Sequence, residues 1–317
     1  MTETAPKILV ITGPTATGKT AAGVLLAKEY NGEVVSADSM QVYRGMDIGT
    51  AKATSEEMQG IPHHMLNVAD PAEDYSVARY VKEADACVQD ILARGKLPIL
   101  VGGTGLYIDS LIAGRDFGKG APDRGLRDKL NERYDRFGGE ALLAELANVD
   151  PARASKLYPA DKKRIVRALE VFYSTGQTIT AHDEATKKLP PRYRAACIAL
   201  SFADRTALYA RIDKRVDVMV DAGLFDEVRA LLESGVPADC TAMQAIGYKE
   251  TAAALRGELS PEDAVDRIKR ESRRYAKRQL TWLRAKPGLH WFLWDELQNW
   301  SDFRQNSSAF LCTNGLK

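Results

Sequence analysis

The stretch KILVITGPTATGKT, residues 7–20, decides the fold. Its first six residues form a short apolar run, which predicts a buried parallel β-strand. The next eight match the pattern GxxxxGK[ST], and residues 20–30 have the apolar spacing of a helix. A strand, a glycine loop and a helix in this order are the context that a phosphate-binding P-loop requires. The sequence therefore predicts a site for a diphosphate or triphosphate.

The chemistry of this loop follows from its residue types. The predicted phosphate-binding residues are Gly13, Pro14, Thr15, Ala16, Thr17, Gly18, Lys19 and Thr20. The glycines let the backbone wrap, so that successive N–H groups and the helix N-terminus face an anion. Lys19 adds a positive charge, and the hydroxyl of Thr20 is a ligand for Mg²⁺. We therefore expect Mg²⁺ as the cofactor.

Two further apolar runs end in residues that carry chemistry. Residues 33–37 predict a strand that leads into Asp38, and residues 97–101 predict one that leads into GGTG at 102–105. The alternation of strands and helices predicts a parallel α/β sheet, whose ligands bind at the carboxyl ends of the strands. Asp38 is then a candidate base or metal-binding group, or simply a solvated cap. Thr104 either points its hydroxyl into the same crevice or belongs to a turn without a ligand.

The pattern changes after residue 114. Residues 122–195 contain no convincing buried strand but several helical stretches, among them 123–138 and 159–176. Strand-like segments follow at 195–202 and after Gly288, and long amphipathic helices are predicted at 205–234 and 260–285. We expect a P-loop α/β core formed by residues 1–114 and 196–317, with an all-helical insertion domain at 115–195.

Composition narrows the class of protein. The chain has 317 residues, of which 45% are hydrophobic, and no apolar run of the length that a membrane span needs. The N-terminus lacks the features of a secretory signal, so we expect a cytoplasmic protein. The cysteines and histidines show neither paired spacing nor a zinc-binding pattern, which favours free thiols and structural histidines. These residues are Cys87, Cys197, Cys240, Cys312, His63, His64, His182 and His290. The tryptophans Trp282, Trp291, Trp294 and Trp300 are interpreted as packing residues.

Charge is unevenly distributed although the net charge is only +1. Residues 151–194 contain ten Lys/Arg and four Asp/Glu, and residues 266–286 contain nine Lys/Arg and two Asp/Glu. Two basic stretches on an otherwise acidic chain suggest a polyanion larger than a nucleotide, and solvated helix faces are the alternative.

Several strings together resemble the tRNA dimethylallyltransferase (tRNA isopentenyltransferase) family of the bacterial type. They are GPTATGKT at 13–20, DSMQVYRGMDIGTAKA at 38–53, GIPHHMLNVADP at 60–71, VGGTGLY at 101–107, DKKRIVRALEVFYSTG at 161–176, RIDKRVDVMVDAGLFDEV at 211–228, QAIGYKE at 244–250 and YAKRQLTWLR at 275–284. Residues 114–150 contain no matching string, and the Cys/His cluster of family members with a C-terminal zinc finger is absent from the sequence.

The resemblance implies a donor, an acceptor and roles for particular residues. The donor is dimethylallyl diphosphate, and the acceptor is N6 of the adenosine at position 37 of tRNA, next to the anticodon. Asp38 matches the general base, Thr104 its partner, Arg215 the diphosphate-binding arginine and Lys19 the P-loop lysine. The stretches implicated in tRNA binding contain Asp38, Ser39, Met40, Gln41, Thr104, Lys162, Lys163, Arg164, Ile165, Val166, Gln244, Ala245, Ile246, Gly247, Tyr248, Lys249, Ala276, Lys277, Arg278, Gln279, Leu280, Thr281, Trp282 and Leu283.

Since the target adenine is stacked in a loop, it must flip out to react. The basic stretches then become clamps on the anticodon stem-loop, and the insertion domain contributes one of them. We expect a monomer that binds no membrane. From the residues alone, two alternatives stay open: a small-molecule kinase that uses ATP, and a P-loop RNA-binding module without catalysis.

Overall fold

The computed structural model of the chain describes residues 5–115, 117, 124–297 and 299–316. It divides into two compact units, one formed by residues 1–112 and 192–317 and the other by residues 113–191. The expected division, at 114/115 and 195/196, differs by a few residues. The difference at the second junction arises because Tyr193 is already buried and the next strand begins at Arg194.

The larger unit contains a six-stranded parallel sheet. Its strands are β1 (Lys7–Thr12), β2 (Gly32–Ser36), β3 (His63–His64), β4 (Leu97–Val101), β5 (Arg194–Ser201) and β6 (Leu289–Leu293). They lie in the order β3-β2-β4-β1-β5-β6. This arrangement, with helices around it, confirms the predicted α/β fold. β1 therefore lies inside the sheet, between two strands that come much later in the sequence.

The helices, in chain order, are α1 (Lys19–Glu29), α2 (Ser55–Met58), α3 (Val77–Ala93), α4 (Gly105–Ala113), α5 (Arg124–Val149), α6 (Pro151–Ala154), α7 (Lys162–Thr175), α8 (Ile179–Lys187), α9 (Arg205–Asp221), α10 (Leu224–Glu233), α11 (Tyr248–Leu255), α12 (Pro261–Arg284) and α13 (Trp300–Thr313). The prediction of one helix over 205–234 was wrong. The chain breaks at Gly223, whose φ of 99° is left-handed, and α10 begins at the next residue.

Burial explains why the strands are continuously apolar. Leu9, Val10 and Ile11 of β1 are fully buried, because helices cover the parallel sheet on both faces. Side chains of α1 and of the neighbouring strands complete this core, including Leu26, Val34, Ile99 and Ile198. The sheet fixes where each strand ends, and the P-loop, Asp38 and Thr104 follow the ends of β1, β2 and β4.

The helical unit has a core of its own. Leu130, Leu142, Leu146, Ile165 and Leu169 belong to its buried cluster. The predicted helix over 123–138 is part of α5, which is kinked at Gly138, where φ is 81°; Asp123 lies outside the described residues. Within the described ranges, neither unit contains a helix that is long and apolar enough to cross a membrane.

Candidate active site

The loop after β1 has the conformation that its glycines permit. At Gly13 a Cβ atom would lie 2.3 Å from the carbonyl oxygen of Leu200, so only glycine fits against β5. Gly18 is left-handed with φ 78° and precedes the first residue of α1. Thr17 Oγ1 and Lys19 Nζ both donate to the carbonyl oxygen of Pro14, over 2.9 and 2.8 Å. The loop is therefore closed by its own side chains at the N-terminus of α1, where an anion binds favourably.

Three side chains from later elements hold this loop from outside. Gln279 Oε1 accepts from the backbone N–H of Thr15 at 3.0 Å. Arg211 Nε donates to the carbonyl oxygen of Ala16 at 3.2 Å, and Trp294 Nε1 donates to that of Thr17 at 2.7 Å. The interpretation of Trp294 as a packing residue is thus incomplete, because it also fixes the backbone of the loop.

Two cations share the crevice beside this loop. Burial, together with the positive charge of Arg215, lowers the pKa of Lys19 to about 7, and Asp38 opposes this shift. Burial also lowers the pKa of Arg215, again against the charge of Asp38. The Nε of Arg215 is buried and has no hydrogen-bond partner among the described residues. A bound anion would relieve both costs, since it supplies opposite charge and a hydrogen-bond acceptor.

Asp38 follows β2 and is held in a turn. Its Oδ1 accepts from the backbone N–H groups of Met40 and Gln41, at 2.8 and 3.3 Å. Thr104 follows the glycines after β4, and its Oγ1 accepts from the N–H of Ser39 at 3.0 Å. The structure thus brings Thr104 against the residue next to Asp38. The hydroxyl of Thr104 is engaged within the protein, and Thr104 does not line either of the cavities described next.

Two neighbouring cavities meet at Asp38. The inner one, of about 120 Å³, is lined by the P-loop residues and by Asp38, Arg215 and Gln279. The outer one, of about 330 Å³, has an apolar wall that includes Ile212, Val216, Met219 and Ile268. Thr15, Asp38, Thr50, Arg215 and Tyr275 line both cavities. The carboxylate of Asp38 and the guanidinium of Arg215 therefore lie at the junction of the two cavities, where a molecule bound in one cavity would contact a molecule bound in the other.

The donor atoms of the inner cavity suit Mg²⁺. Thr20 offers a hydroxyl and Asp38 a carboxylate, and both line this cavity. Mg²⁺ usually binds through one or two protein oxygens together with substrate phosphates and water. The described residues contain no cluster of three or more His, Cys, Asp or Glu that would form an all-protein site. Thr20 and Asp38 therefore fit a Mg²⁺ ion that binds together with a phosphate group.

The histidines after β2 have structural partners. His63 Nδ1 lies 2.8 Å from the carbonyl oxygen of Ile61, and His64 Nε2 lies 2.7 Å from the buried carboxylate of Glu33. Arg94 and Lys96 also bind Glu33 and hold the pKa of its carboxyl well below its usual range. The cluster belongs to the edge of the sheet and lies apart from the cavities.

The stretches expected to bind tRNA contain both exposed and buried side chains. The exposed ones are Lys163, Arg164, Gln244, Lys249, Lys277, Arg278 and Thr281, while Lys162, Ile246 and Trp282 are partly buried. Ile165, Val166, Ala245, Tyr248, Ala276, Gln279, Leu280 and Leu283 are less than 10% exposed. Ala245 and Gln279 line the outer and inner cavities, whereas the other buried side chains line neither cavity. That these stretches contact tRNA stays a prediction. The apolar spacing along the helices is the sequence signal that distinguishes the exposed side chains from the buried ones.

Several site residues were missed from the sequence. Tyr275 lines both cavities, and burial raises the pKa of its hydroxyl to about 12. Val216 and Met219 belong to the apolar face of the amphipathic helix predicted from Arg205, and this spacing is the signal that could have placed them on the outer cavity wall. Nothing in the local sequence indicates that Thr50 lines the cavities or that Gln279 binds the backbone of Thr15.

The fold and site together define a class: an α/β protein of P-loop type with two buried cations and a carboxylate beside a second cavity. Residues 41–286 match the model of the family described as IPP transferase, and residues 6–70 match that of isopentenyl transferase. The chain belongs to the IPP transferase family, whose curated members include tRNA dimethylallyltransferases.

Individual relatives agree along almost the whole chain. The tRNA dimethylallyltransferase of Thermoanaerobacter sp. (strain X514) is 46% identical over 306 residues, which are 96% of this chain and 97% of the relative. That of Halalkalibacterium halodurans is 47% identical over 286 residues, 90% of each chain.

Two solved structures are also similar to this chain along almost its whole length. The full-length tRNA isopentenylpyrophosphate transferase from Bacillus halodurans matches with a TM-score of 0.71 and 42% identity, covering 98% of this chain and 96% of that one. A eukaryotic dimethylallyltransferase acting on tRNA matches with a TM-score of 0.81 and 31% identity, covering 98% of this chain and 80% of that one.

Proposed function

We propose that this chain transfers a dimethylallyl group from dimethylallyl diphosphate to N6 of the adenosine at position 37 of tRNA. The products are N6-(dimethylallyl)adenosine in tRNA and diphosphate. The observation that carries the proposal is the position of Asp38 and Arg215 where the inner and outer cavities meet. Family membership supplies the two substrates, because the curated relatives are named for this transfer.

The inner cavity suits the leaving group. The N6 lone pair attacks C1 of the dimethylallyl group, and the electron pair of the C1–O bond goes to the diphosphate. Lys19, Arg215 and the backbone N–H groups of the P-loop stabilise this growing charge, and preorganised charge is usually the largest catalytic contribution. Thr20 would hold Mg²⁺, which when bound adds positive charge to the same diphosphate.

Asp38 is the proposed general base. The exocyclic amine is a weak nucleophile, and it loses a proton as the new C–N bond forms. Asp38 lines both cavities, so its carboxylate can accept that proton, a contribution of roughly 10²–10⁴ in rate. The outer cavity, with its apolar wall, suits a flipped adenine, which stacks on apolar and aromatic side chains.

Exposed cations are the proposed contacts with the anticodon stem-loop. Lys277 and Arg278 lie on the same helix as Tyr275, and Arg278 also lines the outer cavity. Lys163 and Arg164 are exposed on α7 of the helical unit. Phosphate contacts of this kind orient the RNA without reading its sequence. We propose that the chain works as a monomer in the cytoplasm.

Labelled dimethylallyl diphosphate and unmodified tRNA test this function directly. Nucleoside analysis is expected to find the label on N6 of adenosine 37, with diphosphate released only when tRNA is present. Consumption of ATP without tRNA would instead favour the kinase alternative. Binding of tRNA without any product, with both substrates and Mg²⁺ present, would favour the non-catalytic RNA-binding alternative.

A further inference from the structure

Gln279 of α12 connects two loops that are far apart in the sequence. The residue is buried, with 7% of its surface exposed. Its Oε1 accepts from the N–H of Thr15, and its Nε2 donates to the carbonyl oxygen of Gly103, both at 3.0 Å. A Cβ atom on Gly103 would lie only 2.2 Å from this Nε2, so the contact requires glycine at that position. One amide therefore joins the P-loop to the loop that follows β4.

The second loop leads directly to the proposed base. Thr104 follows Gly103, and its Oγ1 accepts from the N–H of Ser39, the residue after Asp38. The N–H of Thr104 also donates to the carbonyl oxygen of Ala37, the residue before Asp38, at 3.1 Å. The hydrogen bonds thus run from the P-loop, through Gln279 and the loop after β4, to both neighbours of Asp38.

Tyr275 lies one turn before Gln279 on α12. Its hydroxyl interacts with the side chains of both Thr104 and Gln279, and burial raises the pKa of this hydroxyl. Tyr275 therefore supports the same connection and also lines both cavities.

We propose that Gln279 is a positioning residue, which fixes the spacing between the P-loop and Asp38. The proposal rests on the function proposed above. The diphosphate is held by the P-loop and the amine by Asp38, so their separation sets the geometry of attack on C1. A misplacement of about 1 Å is enough to lower a rate roughly 10²-fold. An amide suits this task because it donates and accepts hydrogen bonds without adding charge beside a diphosphate.

Gln279→Met tests the proposal, because methionine has a similar length but replaces both hydrogen bonds with apolar contacts. We expect kcat to fall about 10–100-fold. The Kd of dimethylallyl diphosphate without tRNA, and the KM of tRNA, should both stay within about threefold, because the substrate contacts remain. Gln89→Leu is the matched control: Gln89 also makes a long-range hydrogen bond, to the hydroxyl of Tyr193, away from both cavities. It should leave kcat unchanged.

Hydrogen exchange gives a second measurement that does not depend on activity. In Gln279→Met, the peptides that cover residues 13–20 and 102–105 should exchange faster, and in Gln89→Leu they should not. Gln279→Glu keeps the acceptor for Thr15 and loses the donor to Gly103, so in this variant mainly the second peptide should change. This variant decides the matter if Gln279→Met does not fold.

The outcomes separate the alternatives. A raised KM for tRNA with an unchanged kcat would overturn the proposal and make Gln279 an RNA contact. Unchanged exchange of both peptides would also overturn it. If the wild-type protein forms no prenylated adenosine, the proposed function fails, and hydrogen exchange still decides whether Gln279 joins the two loops.

Discussion

The charged groups of the strand-end crevice and those of the helical unit differ in what surrounds them. In the crevice, Lys19 and Arg215 are both buried, the charge of Arg215 lowers the pKa of Lys19, and the Nε of Arg215 has no hydrogen-bond partner among the described residues. In the helical unit, Lys162 already pairs with Asp135 at 2.6 Å, and Arg164 lies 3.6 Å from Asp161. Both regions contain several cations, but those of the crevice are buried, whereas Lys162 and Arg164 reach solvent and lie beside carboxylates.

This difference in burial indicates how many residues the binding of a small anion and the binding of RNA each require. A few buried charges act strongly because water does not screen them and the protein has already fixed their positions. Exposed charges act weakly and roughly independently, and salt weakens them further. We therefore expect single substitutions to have large effects in the crevice and small, salt-dependent effects on the surface.

The largest effect is expected at Asp38. Asp38→Asn keeps the oxygen that accepts from Met40 and Gln41 but removes the base, so kcat should fall about 10²–10⁴-fold while donor binding changes little. Asp38→Ala should lose at least as much. Single-turnover kinetics and donor calorimetry measure the two quantities, with the exposed Asp221→Asn on α9 as a control. Loss of donor binding with normal turnover at saturation would make Asp38 a metal or positioning residue.

Arg215 should come next. A guanidinium binds two phosphate oxygens through parallel N–H groups, whereas an ammonium offers a point charge. If Arg215 binds most tightly as the C–O bond breaks, Arg215→Lys should lower kcat and kcat/KM together by about 10–100-fold. Steady-state kinetics at saturating tRNA with varied donor test this, beside Arg205→Lys on the exposed start of the same helix. If Arg215→Lys raises only the KM of the donor, Arg215 contributes to donor binding and not to catalysis. Wild-type values of kcat and KM in Arg215→Ala would show that Arg215 has no role in the site.

The lowered pKa of Lys19 predicts a pH dependence of donor binding. Only the protonated amine attracts the diphosphate, and its pKa of about 7 means that the charge is present below pH 7 and lost above it. A bound diphosphate raises this pKa, so binding above pH 7 takes up a proton, and affinity should fall by up to about tenfold per pH unit. Calorimetry at pH 8 in two buffers of different ionisation enthalpy measures the uptake.

Lys19→Arg provides the control for this titration, because a guanidinium stays charged throughout the range. The variant should lose the proton uptake that belongs to residue 19, while the titration of the diphosphate itself persists. Equal uptake in the wild type and in Lys19→Arg would show that residue 19 is not its source.

The smallest effects are expected on the surface. Lys277 has no ion-pair partner among the described residues, whereas Lys162 is paired with Asp135. If Lys277 contacts a tRNA phosphate, Lys277→Ala should flatten the dependence of log K on log salt by roughly 0.7–0.9. Lys162→Ala should flatten it less, because its charge is already partly neutralised. Binding measured by filter retention between 50 and about 300 mM salt tests this, and a salt-independent wild-type affinity would contradict it.

The sequence was sufficient where local pattern determines structure. The apolar run 7–12 and its glycine loop predicted β1 and the P-loop at the positions found, and residues 97–101 likewise predicted β4. β3 was missed because its two residues are too short to show a period. The break at Gly223 was missed because the apolar spacing continues across it.

The contacts that complete the site have no local signal. Thr15 and Gln279 are 264 residues apart, and Thr17 and Trp294 are 277 apart, so only the folded sheet brings them together. The resemblance to a family identified whole stretches, but burial decides which side chains in each stretch are free to bind RNA. Lys163 and Lys277 are exposed, while Val166 and Leu283 are core residues.

The long-range bonds of the P-loop have a consequence for the protein during its synthesis. The loop leaves the ribosome early, but its partners Gln279 and Trp294 are added more than 260 residues later. At about 5–20 residues per second, the interval is on the order of 13–50 s. For the first part of that interval, until Arg194–Ser201 has been added, β1 also lacks its neighbour β5. A nascent or truncated chain therefore carries the complete phosphate-binding motif but not the bonds that shape it, and we expect it to neither capture the donor nor consume it.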